Sequence, residues 1–174
     1  MEENFSTTHS TPGSERHSYP LTLVMVLAAA AGAFHVLATV EHFAESVFYG
    51  VFFAVAATGQ LAWAAWIYRR PHPGPRSLTV GAAGNLAVVA VWIWSRITGV
   101  PVGPEAGIAE TVGLIDVMAT VNELAIVALV VTILQPSGRW AGRLAGLTAD
   151  QQTRSYFALI TATVFALLIG SQQH

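Results

Sequence analysis

Apolar residues in this chain are gathered into long runs instead of recurring at amphipathic helical or alternating strand spacing. Residues 21–40, 47–68, 78–95, 112–134 and 156–170 contain no lysine or arginine, and His35, Asp116 and Glu123 are their only acidic or imidazole side chains. Most of these runs match the ~20 apolar residues needed to cross a ~30 Å hydrocarbon core. A soluble domain would show amphipathic helices or alternating strands instead. The pattern predicts an all-α integral membrane helical bundle of about five transmembrane helices. The expected spans are 21–41, 47–68, 77–97, 112–134 and 154–171, within one domain covering residues 20–174.

The polar punctuation between the runs sets the expected connections. Residues 1–19 are rich in Ser, Thr, His and Glu and have no apolar period, so they read as a disordered tail. After Glu41-His42-Phe43-Ala44-Glu45-Ser46 the apolar pattern resumes at once, leaving room for only a tight hairpin. Trp63, Trp66 and Tyr68 suit the headgroup level of the second span, and Arg69, Arg70, Pro71 and Pro73 end it. Gly81, Ala82, Ala83 and Gly84 make the third span a candidate for close helix approach. Residues 99–110 carry enough Gly and Pro to read as a shaped, re-entrant or lid-like loop. Residues 137–147, with Trp140, Leu144, Arg139 and Arg143, read as a short interfacial helix.

Charge then orients the bundle. Seven of the eight arginines fall in the tail or in the two loops on one side, and only Arg96 falls on the other. The positive-inside rule places the N-terminus in the cytoplasm, as a multi-pass protein of a bacterial inner membrane. The first span is too long and too late in the chain for a cleaved signal peptide. Cysteine is absent, which removes disulfides, thiolate metal sites and a cysteine nucleophile. Lysine is absent as well, so Schiff-base chemistry with retinal or pyridoxal phosphate is excluded.

Glu123 is the residue that most needs an explanation. A charged carboxyl at the bilayer centre costs roughly 2.5–3.5 kcal/mol on insertion scales, so such groups are protonated, paired or turned toward a polar cavity. Asp116 and Thr120 share its helix face, and His35 and His42 share a face of the first span. Gln60 and Asn85 fall just to the inner side of the midplane, where with Asn122 they suit interhelical hydrogen bonding. Arg96 is a candidate interfacial anchor or the partner of Asp116. The expected binding residues are therefore Glu123, Asp116, His35, Thr120, Arg96, Gln60 and Asn85, below a vestibule of His42, Glu45, Glu105 and Glu110.

That track suits a divalent metal ion held by His35, His42, Glu45, Asp116 and Glu123, because carboxylate and imidazole are the ligands left when thiolates are missing. It equally suits a proton relay, since an unperturbed imidazole titrates near pH ~6.5. Haem is disfavoured: His35 and His42 lie about 10.5 Å apart on one helix face and cannot be the two axial ligands of one haem.

Gly103-Pro104-Glu105-Ala106-Gly107, followed by Glu110, Val112-Gly113 and Asp116, together with Glu41-His42-Phe43 and Gln60-Leu61-Ala62-Trp63, resembles a group of small bacterial polytopic membrane proteins. The resemblance covers spans one to four and implies the unit, with no activity assigned to the group. Two readings follow. The first is a protein, acting alone or as an accessory component, with an outward-facing acidic and histidine pocket that binds a divalent metal ion or relays protons. The second is a structural or lipid/quinone-binding subunit that docks to a membrane-protein partner or to its own copies. A membrane enzyme with Glu123 or Asp116 as base ranks last, because no nucleophile-plus-base spacing supports it. No nucleic-acid signature is present.

Overall fold

The computed structural model describes residues 18–135 together with residues 151, 152, 154, 155 and 158. Four helices account for most of them: α1 Tyr19–Glu45, α2 Val47–Arg69, α3 Pro75–Ile97 and α4 Leu114–Leu134. All four are long and apolar enough to cross a membrane. At 1.5 Å per residue the 21 residues of α4 span about 32 Å, and the 27 of α1 about 40 Å, longer than the hydrocarbon core.

Local chemistry sets the helix ends. Pro20 and Pro75 stand in the first turns of α1 and α3, where a missing backbone N–H costs nothing. Ser46 alone joins α1 to α2: it is extended, its N–H caps the His42 carbonyl, and its carbonyl accepts from Gly50. The tight hairpin expected after Glu45 is therefore present.

Packing closes the four helices in the order α2, α1, α4, α3. α1 lies along α2 and also packs on α4, α4 packs on α3, and α2 and α3 meet at only a few positions. One of those few is the Trp63 ring lying over Gly81, where even a Cβ atom would overlap the indole. The main apolar core joins the N-terminal half of α1 (Val24, Ala28, Ala31) to Ile67, Leu78, Ile126 and Val130. A smaller cluster of Phe34 and Ala119 lies toward the end bearing the α1–α2 turn. Val47, Val55, Val80, Leu86 and Val121 point outward, as lipid-facing residues must.

Of the fifth span expected at 154–171, only residues 154, 155 and 158 are described, and they are helical. The Ser155 hydroxyl hydrogen-bonds the Tyr19 hydroxyl, which holds that position against the start of α1. The expected interfacial helix at 137–147 and residues 1–17 of the tail lie outside the described residues.

Candidate functional site

Each of the four helices contributes one side chain to a polar layer inside the bundle. His35 (α1), Gln60 (α2), Asn85 (α3) and Glu123 (α4) are 4%, 6%, 3% and 1% exposed. Their hydrogen bonds fix one another's orientation. Asn85 Nδ2 donates to the Gly81 carbonyl at 2.8 Å, so its Oδ1 accepts from Gln60 Nε2 at 3.1 Å. Gln60 Nε2 also donates to Glu123 Oε1 at 3.0 Å, and its Oε1 then faces His35 Nδ1 at 2.7 Å. An amide oxygen only accepts, so a neutral His35 carries its proton on Nδ1. Nε2 keeps its lone pair and lies 3.6 Å from Glu123 Oε1. A backbone carbonyl on α3 thus sets the tautomer of an imidazole on α1, through two amides.

The layer divides the bundle. On the side of Arg69 and Arg70 lies the main apolar core; on the other side a pocket of about 310 Å³ reaches down to Glu123, His35 and Thr120. Aromatic rings from Phe34, Phe48, Tyr49, Phe52 and Phe53 wall it. Their spacing in α2, with 48 and 52, and 49 and 53, four apart, puts two ring pairs on adjoining strips of one helix.

Arg96 organises the mouth. Its Nη2 donates to Asp116 Oδ2 at 2.6 Å, while its Nη1 donates to Glu110 Oε2 and to Ser95 Oγ at 2.9 Å. The guanidinium also lies over the Trp92 ring, 5.7 Å from its centroid. Asp116 sits in the first turn of α4 and accepts from the Gly113 N–H at 3.1 Å, so it caps that helix as well. Glu110 N–H bonds the Ser95 carbonyl and Tyr49 donates to the Val102 carbonyl, which ties residues 98–113 across the pocket opening. Gly99, at φ +71°, backs directly onto the Ile108 backbone, a place no side chain fits. The loop is shaped, as its glycines and prolines suggested.

The expected site residues therefore form three groups. His35, Gln60, Asn85 and Glu123 share the buried layer, with Thr120 buried on the pocket wall. Asp116 pairs with Arg96 at the mouth. His42 Nδ1 bonds Glu45 Oε2 at 2.8 Å at the end of α1. Glu105 is exposed and does not line the pocket. The five residues grouped as metal ligands are thus divided, and Phe53 is the reason for one division. Its ring stacks between His35, at 5.7 Å, and His42, at 4.4 Å. Among the described residues no three His, Asp or Glu side chains converge as a metal-ligand set. Phe53 and Tyr49 are residues that sequence reasoning passed over; the signal for them was the aromatic strip in α2.

Trp92 Nε1 and Arg96 Nε are buried without a hydrogen-bond partner among the described residues. Comparison with protein-family models, curated proteins and solved structures finds no match.

Proposed function

We propose that this protein exchanges a proton at the buried His35–Glu123 pair through a pocket open to the extracytoplasmic side of a bacterial inner membrane. The supporting observation is the four-helix polar layer. It points the lone pair of His35 Nε2 at the Glu123 carboxyl, while Gln60 and Asn85 hold His35 Nδ1 and Glu123 Oε1 in place. One proton can then sit on the carboxyl or on the imidazole, with a small side-chain rotation closing the gap. The apolar core behind the layer blocks the opposite path. Arg69, Arg70 and Arg76 at that closed end set the orientation by the positive-inside rule.

The test is proton counting on purified protein in lipid nanodiscs. Across about pH 5 to 8, the window of ordinary imidazole titration, wild type should take up one more proton than the double variant His35→Gln/Glu123→Gln, which lacks both members of the pair. Equal uptake by the two would remove the proposal. A scaffold role is favoured by the groove of about 350 Å³ along the thin α2–α3 seam, lined by Gly59, Gly81 and Gly84. In that reading the protein should co-purify in mild detergent with a stoichiometric membrane partner.

A further inference from the structure

We infer that the pocket takes a small quaternary ammonium ion, which enters in exchange for the proton of Glu123. The inference rests on the proton-exchange reading and names the species on the other side of the exchange.

Charge is the first argument. Among the described residues Arg96 is the one arginine lining the pocket and faces two carboxylates, Asp116 and Glu110, while His42 on the same wall pairs with Glu45, so the mouth carries an excess of negative charge. Glu123 adds another carboxyl at the floor. An anion meets repulsion throughout this path. A hydrated metal ion fares little better, since the walls supply few oxygens to replace its water. A weakly hydrated organic cation loses little on entering and gains from aromatic faces, which attract it through the ring quadrupole. Phe34 and Phe52 line the pocket above Glu123 and supply such aromatic surface. Size is the second argument. A cavity of about 310 Å³ lies at the small end of the ~300–1,000 Å³ range of ligand sites, enough for one compact headgroup.

The exchange balances. The Glu123 O–H bond breaks and the proton leaves to water through the mouth. The carboxylate left behind pairs with the entering cation, so the charge inside the pocket does not change. Around Glu123, α1 presents His35 as the titratable neighbour and α2 presents the neutral Gln60. α3 presents the neutral Asn85 and, nearer the mouth, Arg96 with its partners Asp116 and Glu110. Arg96 and, at the outer end of α1, His42 stay paired with carboxylates, so Glu123 and His35 are the groups that answer to the cation.

Isothermal titration of the full chain in nanodiscs tests this with choline and with 3,3-dimethylbutanol, the uncharged compound of the same shape. Choline should bind at least about tenfold more tightly than the alcohol. Runs in two buffers of different ionisation enthalpy should show a proton released on binding. Glu123→Gln should lose that release and about tenfold of choline affinity, with the alcohol unchanged. Phe52→Leu, which leaves the polar layer intact, should weaken choline by about two- to thirtyfold. Equal affinity for choline and the alcohol, or choline affinity unaltered in both variants, overturns the inference. Proton counting without choline separates the two levels: normal uptake with no choline binding removes only the cation, whereas absent uptake removes the exchange itself.

Discussion

Gln60→Leu is the most informative single change, because it keeps the volume of the side chain and removes the centre of the polar layer. Three interhelical hydrogen bonds are lost, to His35, Asn85 and Glu123. Side-chain hydrogen bonds between membrane helices average about 0.6 kcal/mol in mutant cycles, so the summed loss is about 2 kcal/mol, or about thirtyfold in the unfolding equilibrium. Leucine recovers little of this, since lipid chains are as apolar as the helix interior. Reversible unfolding in mixed micelles at rising dodecyl sulfate measures it. Imidazole nitrogen shifts of His35 give a second reading: Nδ1 should be the protonated nitrogen of neutral His35 in wild type, and that preference should weaken in the variant. A destabilisation below about 0.5 kcal/mol with His35 unchanged would refute the claim that Gln60 couples the four helices.

Arg96→Met leaves Asp116 and Glu110 without their shared cation; with Arg96 12% exposed and both carboxylates 30% exposed, the loss should fall below the ~3–5 kcal/mol of a fully buried pair. Hydrogen exchange of residues 98–113 should accelerate in that variant, and unchanged protection would contradict a role for Arg96 in holding that loop. Gly99→Ala forces a side chain at φ +71° against the Ile108 backbone and in thermal unfolding should cost at least about 1–2 kcal/mol, the penalty of the left-handed conformation. Gly81→Leu should expel the Trp63 ring from the α2–α3 seam, read as a change in indole fluorescence, while Gly84→Ala, which has open space, should leave it alone. Zinc or a chelator should shift the melting temperature by less than a degree or two, on the order of measurement scatter, because Phe53 separates the two imidazoles. A saturable shift of several degrees would revive metal binding.

The membrane architecture was legible because lipid demands long apolar runs, and Glu123 stood out because lipid penalises a carboxyl. Depth was legible too: counting residues from the span ends put His35, Gln60, Asn85 and Glu123 within a few turns of the midplane. Azimuth was not. Helices that are apolar nearly all round carry no stripe to show which side faces a neighbour, so the order α2, α1, α4, α3 and the meeting of four polar groups depend on packing. The same gap explains the metal-ligand expectation. His35 and His42 do share a face of α1, but nothing in their spacing foretold that Phe53 of α2 would lie between them. The Arg96–Asp116 pair was anticipated from depth and charge, whereas the second carboxylate, Glu110, arrives through a loop whose path depends on glycines at positive φ.

The central claim is that Glu123 holds an exchangeable proton at the floor of the pocket. Infrared difference spectra between two pH values, in light and heavy water, observe that proton through the carbonyl stretch of a protonated carboxyl. The account requires a pH-dependent, deuterium-sensitive band in wild type that vanishes in Glu123→Gln and moves in Gln60→Leu. A band identical in wild type and Glu123→Gln, or no pH-dependent band at all, would contradict it.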